Sequence, residues 1–168
     1  MPDPLDLLAV ARLLSSADGD HVPSDAHLRR AVSTAYYALF HKILGAAAAR
    51  FMGPDQQHTA GFALLYRGFD HRAMKEICEA LQVSTLKTKY RTALRRSSVS
   101  QEMRDFAGIF PSLQETRHLA DYDPAVAFLA SDVTSLVDAA EVAMDAFDRA
   151  PPDERADILA LMMVGARS

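Results

Sequence analysis

Between Ser24 and Met52 the chain has no proline and a single glycine, and Gly53-Pro54 closes the stretch. Serine is a favoured N-cap and Gly-Pro a stop signal. The pattern predicts one long helix from the Ser24 cap to about Phe51. Its Ala46-Ala47-Ala48-Ala49 run is strongly helix-forming and lets a neighbouring helix approach closely. At about 100° per residue, Arg30, Ser33, Tyr37 and His41 fall within an arc of roughly 80°. Leu28, Val32, Ala35, Leu39 and Ile43 fall on a broad opposite face. Solvent-facing arcs are normally filled with Lys and Glu, which cost little to hydrate. This one carries a guanidinium, a hydroxyl, a phenol and an imidazole. That set suits a polar interface or a site. It also suits half-buried packing residues whose polar tips are satisfied.

The remainder also reads as helix. A first helix is predicted from the Asp3 cap, with Pro4 at its first position, to about Ala17, where Asp18-Gly19-Asp20 stops it. Leu7, Val10, Leu14 and Ala17 form its apolar stripe. A third helical region spans about 58–82, with a break near Gly68-Phe69-Asp70. Phe62, Leu65 and Phe69 make one apolar edge, and Met74, Ile77 and Leu81 another. Residues 83–97 lack clear helical periodicity and read as a mobile loop. Ser98 with Gln101 resembles a capping box and opens a helix carrying Met103, Phe106, Phe110 and Leu113. Pro111 should kink or divide that helix, which is expected to end near Ala120. Asp123-Pro124 then reads as the cap of a long helix to about Ala150, with Leu129, Val133, Leu136, Ala140 and Phe147 inward. After Pro151-Pro152 comes a short amphipathic helix, Asp153 to Val164, apolar through Ile158, Leu161 and Met162. No strand, repeat or low-complexity tract stands out. The expected fold is all-α: an antiparallel up-down helical bundle of four to five core helices plus a short C-terminal helix. Residues 1–150 form the bundle and 151–168 an extension of the same domain.

At 168 residues the chain suffices for one domain with a substantial core. No apolar run reaches the ~18 residues of a membrane span. The start Met1-Pro2-Asp3-Pro4 lacks the basic region of a secretory signal. Cys78 is the sole cysteine and shares helical spacing with Met74, Ile77 and Leu81, which makes it a core residue. These features fit a cytoplasmic protein in a reducing compartment. A net charge of −4 excludes non-specific nucleic-acid binding by the chain as a whole. The exception is local: Lys87, Lys89, Arg91, Arg95 and Arg96 form the only basic cluster. It is either a solvated loop or an RNA-contacting flap.

Familiar enzyme signatures are missing: no Gly-rich phosphate loop, His-Glu-x-x-His, Cys-x-x-Cys or Gly-x-Ser-x-Gly. The six histidines lack metal-ligand spacing, so neither a metal nor a cofactor is expected. The segment Glu115 to Pro124 carries more. Arg117 and Asp121 are four apart and can pair along a helix. Tyr122 follows at a helix junction, and a helix beginning at Asp123 would offer free N–H groups to a phosphate. Arg117 adds a permanent cation and His118 a titratable imidazole. The same residues could equally form a turn with an ion pair and a packed tyrosine.

Three segments in order resemble the HEPN domain (higher eukaryotes and prokaryotes nucleotide-binding), in particular its small stand-alone prokaryotic branch. The first is Arg30-Ala31-x-Ser33-x-Ala35-Tyr36-Tyr37-Ala38-x-Phe40-His41, the second His58-Thr59-Ala60-Gly61, and the third Arg117 followed by Ala120-Asp121-Tyr122-Asp123. The resemblance implies a helical bundle acting on or binding RNA or nucleotides. Many members are metal-independent endoribonucleases with a composite site at a homodimer interface, and some are toxins paired with a nucleotidyltransferase antitoxin. A non-catalytic homodimeric scaffold is the alternative. The usual Arg-x(4–6)-His pattern is broken here: after Arg117 the slots hold Tyr122, Asp123 and Pro124. Cleavage through a 2′-hydroxyl needs a base, a cation and an acid. Arg117 would supply the cation, His118 or His41 the base or acid, and Tyr122 a proton donor. Arg30, Ser33, Tyr37 and Asp121 would line the RNA or nucleotide site, with Lys87, Lys89, Arg91, Arg95 and Arg96 as further contacts. Burying an ionised Arg without a partner costs several kcal/mol. A two-fold homodimer with these segments at its axis is therefore expected.

Overall fold

The computed structural model describes residues 2–17 and 22–165. Among them are eight α-helices and no strand: α1 (Pro4–Ser15), α2 (Asp25–Met52), α3 (Ala60–Arg67), α4 (His71–Leu81), α5 (Thr88–Leu94), α6 (Gln101–Tyr122), α7 (Ala130–Arg149) and α8 (Pro152–Val164). A single 3-10 turn, Pro54–Gln56, links α2 to α3. The fold is all-α, as the periodicities imply.

α2 is the axis of the molecule. It packs against α1, α3, α6, α7 and α8. Ser24 caps it through Oγ, which accepts from the His27 N–H, and Gly53 ends it with φ +97°, a conformation open to glycine but strained for other residues. Because neighbours surround it, residues outside the apolar face are buried too. Ser33, Thr34 and Tyr36 are as enclosed as Val32 and Leu39. Apart from the exposed Arg30, the polar arc therefore meets other helices rather than open water. Phe106, Phe110 and Phe147 fill the centre with ring-to-ring contacts, each buried aromatic contributing about 2 to 3 kcal/mol.

Several boundaries differ from expectation, each for a local reason. α1 ends at Ser15, with Leu8 and Ala11 buried where Val10 was expected inward. The stop predicted at residues 18–20 lies outside the described residues. The 58–82 region divides at Gly68–Asp70, where Asp70 Oδ1 accepts from the Ala73 N–H and caps α4. Residues 83–97 are not a loop but carry α5, because Leu86, Tyr90 and Leu94 repeat every four residues and bury one face. Ser100, not Ser98, caps α6. The final bundle helix starts at Ala130 rather than Asp123, and Leu129, expected inward, is exposed. Asp123 instead accepts from the Ala125 N–H in an Asx turn.

α8 docks onto the main core through Ile158, Leu159, Leu161 and Met162. A buried carboxylate fixes its start. Glu154 accepts from the Ser100 N–H, from Ser100 Oγ at 2.6 Å and from Arg96 Nη1 at 3.0 Å. The α6 N-terminus thus receives a negative charge where its free N–H groups favour one.

α6 neither breaks nor divides at Pro111. Proline cannot donate to the carbonyl four residues back, which leaves Ala107 O without its helical partner. Gln82, at the end of α4, supplies the missing donor: its Nε2 lies 3.1 Å from Ala107 O. Gln82→Ala should therefore cost about 1 kcal/mol in urea unfolding. In a Pro111→Ala background, where residue 111 regains its N–H, the same change should cost nothing measurable. Equal costs in both backgrounds would mean that Gln82 does not replace the proline's missing bond.

Candidate functional site

α6 runs antiparallel to α2, so two side chains four apart on each helix meet in pairs. Ser33 Oγ donates to Asp121 Oδ1 at 2.5 Å, and Arg117 Nη2 donates to Tyr37 Oη at 2.5 Å. Along α6, Arg117 Nε lies 2.8 Å from Asp121 Oδ2, an ionic contact that is not aligned as a hydrogen bond. The guanidinium carbon also sits 5.2 Å from the centre of the Tyr37 ring, 5.9 Å from Tyr122 and 6.0 Å from Tyr36. Arg117 is thus held by one carboxylate, one phenol and three aromatic faces, with about a fifth of its side chain exposed. Its Nη1 makes no hydrogen bond among the described residues and is the edge left for a ligand.

Behind this row lies a layer of aromatic and imidazole rings. Tyr36 Oη is 2.6 Å from His71 Nδ1, and Phe40 stacks on the His71 ring at 4.0 Å. Burial, and then the Arg117 charge, lower the His71 pKa, while burial pushes the Tyr36 phenol well up. Tyr36 therefore keeps its proton and donates it to Nδ1, placing the imidazole N–H on Nε2. One turn further along α2, Tyr66 Oη lies 2.5 Å from His41 Nδ1 with the rings stacked. Burial lowers His41 and raises Tyr66, so the same donor direction holds there.

Outward from Arg117 a cleft of about 440 Å³ is lined by Lys75, Gln114, Glu115, Arg117, His118 and Leu119. Lys75 Nζ lies 2.7 Å from Glu115 and 3.7 Å from Glu79, so its charge is largely compensated. His118 is exposed, its ring 4.9 Å from that of Tyr122. Tyr122 itself is 65% exposed.

The structure thus brings Ser33, Tyr37, Arg117 and Asp121 into one row, two hydrogen bonds joined by an ion pair, with His118 and Tyr122 beside it. His41 is displaced from that row and lines a separate cleft with Lys42 and Asp148. Arg30 is exposed and makes no ion pair among the described residues. Lys87, Lys89, Arg91, Arg95 and Arg96 lie on the α5 segment, which packs against α8 and not against the row. Arg96 is moreover committed to Glu154 and Asp157. No helix N-terminus faces Tyr122, because residues 123–129 are non-helical. Nor must the row be paired across a dimer to be satisfied: one chain provides partners for Arg117, Asp121 and Tyr37. No group of three or more potential metal ligands occurs among the described residues.

Arg29, adjacent to the expected Arg30, has the larger structural role. Its Nη1 donates to Ala120 O and Asp123 O, its Nη2 to Val126 O, and its Nε pairs with Asp25 at 2.6 Å. It closes the end of α6 and shapes the 123–129 turn under Tyr122. The Asp25–Arg29 spacing of four was the available signal. Tyr36, His71 and Tyr66 were also unforeseen, since their pairing joins distant parts of the chain. Compared with known proteins, the chain matches no family model, no curated protein and no solved structure.

Because partial burial lowers both half-buried imidazoles, His41 and His71, below their ordinary value, the unfolded chain takes up protons first as pH falls. Their contribution to stability is complete above about pH 7 and is lost as pH drops through the ordinary imidazole value toward the lowered ones. Proton NMR should show His41 and His71 titrating below the ordinary imidazole value. A His71→Asn variant should lose less stability than wild type between pH 7.5 and 5.5. An unchanged pH profile in that variant would contradict the tautomer assignment.

Proposed function

We propose that this chain is a HEPN-like up-down bundle that binds a phosphate of RNA or of a nucleotide at Arg117. The observation supporting this is the Arg117 guanidinium: its position is set by Asp121 and Tyr37, while Nη1 remains available beside an open cleft. Nη1 can donate to a phosphate oxygen from a position the fold already fixes, whereas the flexible lysine ammonium would have to be positioned anew. The order of the three HEPN-like segments agrees with this reading.

Cleavage is the narrower form of the proposal. It assigns the phosphate charge to Arg117, proton transfer to His118 and a donor role to Tyr122. His41 and His71 are excluded from the proton-transfer role at Nδ1, because a phenol occupies that nitrogen in each. A ribonuclease toxin with a nucleotidyltransferase antitoxin is the biological setting that the resemblance suggests. The competing reading is a scaffold in which Arg117 staples α2 to α6. It is favoured by the Asp121 carboxylate, which already offsets the Arg117 charge.

A homodimer remains part of the proposal, now on different grounds. Leu119 and Tyr122 are exposed at the end of α6 beside Arg117, and Leu129 is exposed at the start of α7, apolar side chains that a second copy could cover. Light scattering at micromolar concentration should give twice the chain mass, and Tyr122→Asp should reduce it to one. A monomeric wild type would remove the dimer from the proposal.

The decisive measurement is binding of a 20-nucleotide RNA in EDTA, with product analysis for cleavage. Arg117→Ala should weaken binding by about 1 to 3 kcal/mol, and Arg117→Lys should recover little of it. Because Arg117 joins two helices, its removal should also lower the melting temperature more than loss of an exposed pair, which contributes under about 1 kcal/mol. Wild-type RNA binding by a folded Arg117→Ala protein would leave the scaffold reading.

A further inference from the structure

The α5 segment is a second charged feature, remote from the Arg117 row. Residues 80–101 hold five cations and no acid, while the rest of the chain carries 13 cations against 22 acids. Arg96 is neutralised by Glu154 and Asp157. Lys87, Lys89, Arg91 and Arg95 are exposed and form no ion pair among the described residues. A concentration of unpaired cations on an otherwise acidic protein carries a self-repulsion that neighbouring acids normally relieve.

The segment is also rigidly mounted. The Leu86 N–H donates to Ser97 O at 2.8 Å and closes the excursion at its base. Leu86, Tyr90 and Leu94 bury the inner row. Lys87, Arg91 and Arg95 occupy the next row round, at the same four-residue interval. Arg95 caps α5 in the left-handed region, φ 51° and ψ 35°, where glycine is the unstrained choice. A long cationic side chain stands where the backbone favours none.

We propose that the outer row of α5 is a platform for the phosphate backbone of single-stranded RNA. This rests on the reading of Arg117 as a phosphate site and deepens it: with a second set of phosphate contacts remote from Arg117, the ligand is a polymer rather than a mononucleotide. A membrane surface is the less suitable partner. Helices that lie on bilayers insert an apolar face, and the apolar face of α5 is already buried in the protein.

The test is the salt dependence of binding to a fluorescent 20-nucleotide oligouridine, with uridine monophosphate titrated in parallel. Each phosphate contact to a single strand contributes about −0.7 to the slope of log K on log salt. Lys87→Gln, Arg91→Gln and Arg95→Gln combined should flatten the slope by about two units and leave monophosphate affinity unchanged. Arg95→Gly alone should flatten it by about 0.7 and raise the melting temperature, which separates lost binding from lost folding. If Arg117→Ala binds the oligomer normally while the triple variant does not, the platform stands and the Arg117 reading fails. An unchanged slope in the triple variant overturns the platform. So does charge-dependent binding to phosphatidylglycerol vesicles without binding to the oligomer.

Discussion

A guanidinium held between two antiparallel helices sets the chemistry of this molecule. Arg117 cannot lose its proton, so every group placed near it must accommodate a fixed positive charge. Asp121 does so on the same helix, and Tyr37 does so from α2 by accepting a hydrogen bond. Ser33 in turn donates to the carboxylate. Three tyrosine rings present their faces, the negative side of an aromatic quadrupole. The charge reaches further still: it helps to lower His71, which keeps that imidazole neutral and able to accept from Tyr36. One cation thereby organises a layer of donors and acceptors across α2, α4 and α6.

That arrangement depends on α6 remaining a single helix over its whole length. Glu154 and Ser100 fix one end, and Arg117 and Asp121 lie near the other, with Pro111 between them. A break at Pro111 would uncouple the two ends. The Gln82 amide prevents this by satisfying the carbonyl that proline leaves open. Arg29 performs the comparable task at the far end, where it takes the Ala120 carbonyl of the last turn together with the Asp123 and Val126 carbonyls beyond it. Two polar side chains from outside α6 thus keep its backbone satisfied at its two weakest points.

The helical character of the chain was legible because caps and periodicity are local. Asp3, Ser24 and the Gly53-Pro54 stop act within one turn of where they stand. The Arg117–Asp121 pair was legible for the same reason, being one turn apart on one helix. What the sequence concealed was non-local. Nothing near Pro111 announces that Gln82 will bond to Ala107, and only the Asp25 spacing, itself no sign of a distant partner, sets Arg29 apart from Arg30. Their separation by about 100° around α2 gives one a buried role and leaves the other in solvent. α5 was missed for a different reason: its apolar row has only three members, too few to stand out among the five polar and charged residues between Leu86 and Leu94. The Asp123-Pro124 signal failed because Asx turns and helix caps use the same side-chain bond.

The distribution of protons separates holding an anion from transforming it. Acid–base catalysis needs a group that exchanges its proton near working pH and reaches the ligand. His41 and His71 are poised by burial toward the neutral form, and each has its Nδ1 engaged by a phenol that burial keeps protonated. Those two pairs fix ring orientation and brace the helices. His118 lies outside that layer, exposed beside Tyr122 and on the wall of the Arg117 cleft. On the proposed reading, proton transfer falls to His118 and Tyr122, whereas charge recognition draws on the half-buried Arg117 row. The groups proposed to hold an anion are thus fixed by the fold, whereas the two proposed to move protons lie exposed at its edge.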